Sequence, residues 1–454
     1  MPKKKTALTI EERLQQALVP AEEQPYEVPE NWVWVRLGEV NKYMSKSVNP
    51  ISEPDKTFEL YSVPSMADNY PEIIVGSDIG SSKQSVCKGD VLLCKINPRI
   101  NRVWKVSQFT DNELIASSEW IIIRNNHIDA NYLMYCFQSK YFREFMLSNV
   151  SGVGGSLMRA QPKYVQTYPI PLPPLSEQQR IVERIEELFA KLDEAKERLQ
   201  EAADSFAVRK AAILHKAFTG ELTKQWRLEN GVSDESWEEK KLGEVGSWLG
   251  GGTPSTRREE YWENGNILWI TSKDMKSAVI EDTLMKVNEI GVKNSSANYI
   301  EKPALLVVMR SGILRRTFPV AMVKKPFTVN QDLKAIIPDK DDLEFLFWML
   351  LSNERRILDS CMKNGTTVES INSNALKAFA FKCPTLPEQH EIVRLIDDLL
   401  ARERSAQQAT EQALASIDLM KKSILARAFR GELGTNKASE ASALELLRQV
   451  LAEN

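Results

Sequence analysis

Between Lys95 and Lys105 the sequence reads Lys-Ile-Asn-Pro-Arg-Ile-Asn-Arg-Val-Trp-Lys, which gathers Lys95, Asn97, Arg99, Asn101, Arg102 and Lys105 into one short stretch. These side chains suit nucleic acid: the arginine fork fits guanine O6 and N7, asparagine pairs with adenine, and lysine neutralises phosphate. A solvated basic loop has the same composition, so the stretch alone leaves both readings open. Lys88-Gly89-Asp90 makes a tight turn before the apolar run Val91 to Ile96, so the basic stretch is expected to leave a strand. A second group lies further on. Gly250 to Ser255 (GGGTPS) carries Thr253 and Ser255, Trp269 to Met275 carries Lys273, and Val308 to Arg316 carries Arg310, Arg315 and Arg316. The glycine run is not a nucleotide phosphate loop, because no Gly-Lys-Ser/Thr follows it. It reads as a turn whose small residues let the backbone approach DNA, with a purely structural loop as the alternative.

No residue set has catalytic spacing. His127, His215 and His390 are scattered, and Cys87, Cys94, Cys136, Cys361 and Cys383 form no Cys-x-x-Cys pair, so no metal site is expected. Pro173-Pro174 lies in Leu-Pro-Pro-Leu, without the Asp or Asn and the aromatic ring of an amino-methyltransferase motif. Asp234, Glu239 and Lys241 imitate a nuclease triad only as any charged segment would. The five cysteines read as free thiols of a reducing cytoplasm. No apolar run reaches the roughly twenty residues of a membrane span, and the start, MPKKKTALTIEE, has no signal-peptide core. The balance of 59 basic against 62 acidic residues gives a net charge of -3, and mean hydropathy is -0.34. Whole-chain charge therefore offers nucleic acid nothing. DNA binding requires segregation, with acid on helices and arm (Glu186-Glu187, Asp397-Asp398, Glu22-Glu23) and base within the intervening globules.

The elements that must position the basic stretches are set by a repeat. Ser176 to Leu222 recurs without a gap, 211 positions on, as Pro387 to Leu433: Glu177-Gln178 falls on Glu388-Gln389, Ile181-Val182 on Ile392-Val393, and Gly220-Glu221-Leu222 on Gly431-Glu432-Leu433. In the first copy Ile181, Ile185, Leu188, Leu192, Leu199 and Phe206 follow coiled-coil spacing, with Ser176 and Gln179 as a capping box and Gly220 as the stop. In the second, Ile392, Ile396, Leu399 and Ile417 keep the register, while Glu403 and Thr410 fall on the seam. Helices of about forty residues are about 60 Å long and need a partner; each copy is the other's nearest candidate. The flanks repeat as well. Trp32 to Val40 resembles Trp237 to Val245, and the loops at Gly152 to Ser156 and Asn364 to Thr367 precede the proline steps Pro169 to Pro174 and Pro384 to Pro387. The order is globule, long helix, globule, long helix.

With these motifs the chain resembles the specificity subunits of Type I DNA restriction-modification systems: a Pro-Leu-x-Glu-Gln-x-x-Ile-Val helix start and a Lys-x-x-Ile-Leu-x-x-Ala-Phe-x-Gly-Glu-Leu helix end, both present twice. The resemblance covers nearly the whole chain. It implies an α+β protein in which two α/β target recognition domains are joined by two long antiparallel coiled-coil helices in a pseudo-twofold repeat. Its expected parts are an N-terminal arm (1–30), recognition domains at 31–170 and 224–382, helical spacers at 171–223 and 383–434, and a tail (435–454). Each domain would read half of a bipartite site in double-stranded DNA. The helices would fix the spacing and dock two methyltransferase subunits, which bind S-adenosylmethionine, and restriction/motor subunits would join. No cofactor is expected in this chain, and no catalysis. A helical protein-protein adaptor is the rival reading.

Overall fold

The computed structural model describes residues 8–152, 158–363 and 368–452. Lys3 to Lys5 and most of the two glycine-bearing loops lie outside them. The chain divides into two units, Met1–Gln200 with Gln412–Asn454 and Glu201–Glu411, so each long helix, Leu175–Phe218 and Leu386–Ala428, contributes one half to each.

Both units carry the same strand plan, an α+β arrangement as the sequence indicates. In unit 1 Thr57–Tyr61 runs parallel to Glu113–Ala116 and antiparallel to Glu72–Val75; in unit 2 Ile267–Ile270 runs parallel to Phe327–Val329 and antiparallel to Met285–Val287. The apolar run Val91–Cys94 is buried throughout, as a central strand requires, between Val103–Lys105 and Trp120–Ile123. Ala304–Val308 sits likewise between Val320–Val323 and Leu333–Pro338. Two short helices follow each sheet. The apolar run Ala130 to Leu147, which reads as one helix, is two, Ala130–Gln138 and Lys140–Ser148, because the Ser139 side chain leaves the first and caps the second.

Within each unit the start of one long helix packs on the end of the other, which makes the pairing antiparallel. In unit 1 Ile181, Val182 and Ile185 share a core with Leu425, Ala428 and Phe429, and Lys421 reaches Asp193 at 2.6 Å. In unit 2 Leu214 and Ala217 share a core with Ile392, Val393, Ile396 and Leu400, and Arg209 reaches Glu403 at 2.8 Å. Glu403 thus serves the seam as an ion-pair partner, and the Thr410 hydroxyl returns to the carbonyl of Ala406. Ile417 is buried, whereas Leu188, Leu192, Leu199, Phe206 and Leu399 are half-buried.

The helix starts differ from the capping-box expectation. The first begins at Leu175, so Ser176 lies inside its first turn and cannot be its N-cap. Buried Gln178 does the tying: its Oε1 accepts the N–H of Asp129 at 2.8 Å and its Nε2 donates to the Pro173 carbonyl at 2.9 Å. Gln389 repeats this with Asp342 at 2.8 Å and Pro384 at 3.0 Å. Asp129 and Asp342 in turn cap the first of the two helices that follow the sheet, Ala130–Gln138 and Leu343–Ser352.

The neighbouring glutamates close the opposite junction. Glu177 accepts hydrogen bonds from Trp32 Nε1 (2.8 Å), Asn436 Nδ2 (2.9 Å) and the Thr435 hydroxyl (3.4 Å). Glu388 accepts from the Thr223 hydroxyl (2.7 Å) and from Arg227 (2.6 Å). Two regions therefore differ from their sequence reading. The stretch Lys224 to Ser236, polar and holding Gly231 and so a linker by composition alone, is helical over Lys224–Asn230, with Arg227 drawn in to the buried carboxylate. The N-terminal arm is packed from Ile10–Ala17 on, and the tail helix Ala443–Ala452 joins it in the core of unit 1 through Leu14, Ala17, Leu447 and Val450. Arg180 holds the tail with two 2.8 Å bonds to Glu440.

The two glutamates should respond differently to neutralisation. Glu388→Gln removes the buried charge partner of Arg227, which keeps Asp234 and the Gly220 carbonyl, and should lower the unfolding free energy by about 1.5–3 kcal/mol, the worth of a hydrogen bond to a charged group, measurable by denaturant titration. Burial pushes the Glu177 carboxyl above its ordinary range, against hydrogen bonds from Trp32 and Asn436 that pull it down. A raised folded-state pKa adds stability that is complete below the unfolded pKa, about 4.3, and is lost as pH climbs through the folded value. Stability of Glu177→Gln relative to the natural chain should therefore improve as pH is raised from about 4 to 7.

Candidate nucleic-acid interface

The stretch Lys95 to Lys105 is the turn of a β-hairpin between Val91–Cys94 and Val103–Lys105, with a 3-10 turn at Pro98–Ile100. Asn97 and Asn101 flank that turn at φ 46° and 54°, left-handed backbone that asparagine tolerates better than other residues with a side chain. The Asn101 amide donates to the Gln138 carbonyl at 3.1 Å, so both asparagines hold the shape of the loop. Lys105 donates to Asn131 Oδ1 (2.6 Å) and Lys95 to the Ser118 carbonyl (2.6 Å). Arg99 is exposed, while Arg102 is half-buried with its side chain against the Cys94 thiol, so Arg99 is the more open of the two arginines. Asp90 anchors the base of the hairpin, its carboxylate taking a fork from Arg124 at 2.7 and 2.6 Å.

The hairpin also gains neighbours the sequence reading missed. Asn97 N–H donates to the Met158 carbonyl and Ala160 N–H to the Lys95 carbonyl, both at 2.8 Å, which lays Arg159 alongside the loop. Arg143 donates to the carbonyl of Arg99. Lys163 sits over the exposed Tyr164 ring at 4.7 Å. The 211-residue shift was the one available signal, because it places Arg159 on Ser370, and Ser370 bridges Arg310 as Arg159 bridges Ile96.

In unit 2 the 3-10 turn Gly312–Arg315 joins Ala304–Val308 to Val320–Val323, the same place in the strand plan. Arg310 and Arg316 are exposed, and Arg315 is engaged by Glu369. Lys273 is exposed beside a turn closed by Asp274. Thr253 donates to Gln331 at 2.9 Å, and the Ser255 carbonyl accepts from Trp262. The glycines before them face inward. A Cβ on Gly251 would lie 1.9 Å from the Val329 carbonyl, and one on Gly252 1.9 Å from the Ser296 hydroxyl oxygen. Contact with this chain's own atoms, rather than approach to DNA, is what requires glycine there. Among the described residues no cluster of His, Cys, Asp and Glu has metal-binding geometry, and no helix is long and apolar enough to cross a membrane.

Two globules on one plan, each leading through a Gln-tied start into one of two antiparallel helices, define a duplicated α+β module. Residues 29–203 and 234–414 match the family model described as Type I restriction modification DNA specificity domain. The chain belongs to that family. It is 40% identical over 161 residues to the Type I restriction enzyme EcoR124I/EcoR124II specificity subunit of Escherichia coli, covering 35% of this chain and 40% of that protein. It is 27% identical over 350 residues to the StySPI specificity subunit of Salmonella potsdam, 72% of each. In fold it is similar to the crystal structure of the HsdS subunit from Thermoanaerobacter tengcongensis, with a TM-score of 0.69 at 22% identity over 90% of this chain and 99% of that one.

The packing of the glycine turn is directly testable. Gly251→Ala should destabilise unit 2 by about 2 kcal/mol or more through overpacking, read as a lower melting temperature, while Thr253→Ala, on an exposed side chain, should leave melting nearly unchanged.

Proposed function

We propose that this chain is a non-catalytic DNA-recognition subunit acting in the cytoplasm, reading a bipartite duplex site with one half per unit. The carrying observation is the pair of basic hairpins at one topological position: Arg99 and Arg102 in unit 1, Arg310, Arg315 and Arg316 in unit 2. A common scaffold with different tips is what two different half-sites demand. Thr253, Ser255 and Lys273 border the second reader. Lys95 and Lys105, with Asn97 and Asn101, shape the first. The long helices set the gap between the halves.

The helices also carry the partners. Val208 and Leu419 are related by the 211-residue shift and are 70% and 65% exposed. Large apolar side chains repeated so openly at one position suit two copies of one partner, and two methyltransferase subunits are the partner this reading puts on the helices. S-adenosylmethionine belongs to those subunits, this chain holding no cofactor, and the restriction/motor subunits join the assembled core.

Selection of random duplex DNA by this chain co-expressed with its methyltransferase subunit should enrich a two-part motif with a fixed gap; an intact complex that enriches nothing refutes the reading. Arg99→Ala or Arg102→Ala should weaken preference in one half by about 1–3 kcal/mol, and Arg310→Ala or Arg316→Ala in the other. Val208→Glu and Leu419→Glu should each remove one methyltransferase copy, seen as a fall in complex mass by light scattering, and together remove both.

A further inference from the structure

The tip of each hairpin holds a residue that charge does not explain. Ile100 closes the 3-10 turn Pro98–Ile100 at 53% exposure, and Ile313 lies in the turn Gly312–Arg315 at 40%. Scattered exposed apolar side chains are ordinary on protein surfaces. These two occupy the same turn of the same hairpin in sheets that otherwise share few letters, and both turns are fixed. Pro98 and Leu314 are buried beneath them. The Ile100 N–H donates to the Asn97 carbonyl at 3.1 Å, and the Ile313 carbonyl accepts from Arg316 at 2.9 Å and Thr317 at 3.1 Å. Each isoleucine is therefore held outward by a rigid backbone, with Arg99 and Arg102, or Arg315 and Arg316, beside it in the chain.

We infer that Ile100 and Ile313 are base-reading residues, each packing on the 5-methyl group of a thymine in the major groove of its own half-site while the adjacent arginines contact phosphate or guanine. The C5-methyl is the one apolar feature of the major-groove code, and an apolar side chain is what recognises it. Cations on both sides would draw the tip to the duplex, and a rigid turn would present the side chain to the base edge without ordering on binding. The inference rests on the hairpins being the half-site readers.

Replacement of each thymine of the selected site by deoxyuridine, one at a time, removes only the methyl group. For the natural chain in complex with its methyltransferase subunit, one thymine in each half should lose about fourfold in equilibrium affinity, the worth of one buried methyl-sized group. Ile100→Ala should abolish that sensitivity in one half and keep it in the other, with Ile313→Ala doing the reverse. Neither should change the slope of log affinity against log salt, which reports phosphate contacts. The inference is overturned if the natural chain ignores every deoxyuridine, if a selected half-site contains no thymine, or if the alanine variants retain the sensitivity. Failure of the natural complex to select any motif would instead overturn the half-site reading itself.

Discussion

The architecture depends on two buried Glu-Gln pairs. Glu177 and Glu388 are fully buried, and so are Gln178 and, to within 2%, Gln389. A carboxylate without water needs donors, and a buried amide both an acceptor and a donor partner. Glu177 meets donors on both oxygens, whereas Glu388 concentrates its two donors on Oε1 and leaves Oε2 without a partner among the described residues. The glutamine spends its groups locally, on the proline step and on the first of the two helices that follow its own sheet. The glutamate spends its groups on the chain that follows the other long helix: Thr435 and Asn436 for Glu177, Thr223 and Arg227 for Glu388. One dipeptide thus joins a globule to its helix and one helix start to the other helix's end.

The two junctions use the same position with different chemistry. In unit 2 the connecting segment follows directly from Gly220 and delivers Arg227, whose guanidinium also reaches the Gly220 carbonyl at 2.8 Å and Asp234 at 2.9 Å. In unit 1 the stretch after Gly431 and the N-terminal segment together assemble the equivalent surface. Neutral donors then meet the carboxylate, the indole of Trp32 among them, and the arginine of that junction, Arg180, is turned to Glu440. Among the described residues Trp237, the counterpart of Trp32, finds no hydrogen-bond partner for its indole N–H, and Arg227 is the group that meets the Glu388 carboxylate instead.

The globules reverse that balance: their plan is kept and their tips are changed. The central parallel and antiparallel pairings recur, although one sheet has two further strands in unit 1 and the other one further strand in unit 2, and the shared pairings fix where the hairpin projects. In unit 1 the turn is shaped by two asparagines in left-handed backbone; in unit 2 Ser311 caps the turn and Leu314 anchors it. A backbone plan is maintained by burial of alternating or continuous apolar runs, which many letters satisfy. The outward side chains carry no such constraint and are free to differ.

Sequence alone determined the repeat, the two long helices and their mutual pairing, because helical periodicity and gapless recurrence are local or register properties that a linear chain displays openly. It also determined the residue types available for reading bases. Tertiary structure decided which of those types remain free. Lys95, Asn101 and Lys105 are spent on neighbours that lie 23 to 37 positions away, and Arg159 joins the hairpin from a distant segment. It decided that the glycine run packs inward on Val329 and Ser296, and that a polar linker becomes a helix around Arg227. It decided as well that the arm and tail share one core. Each of these rests on a contact between residues far apart in the chain, whose free energy comes from burial and pairing that no local pattern encodes.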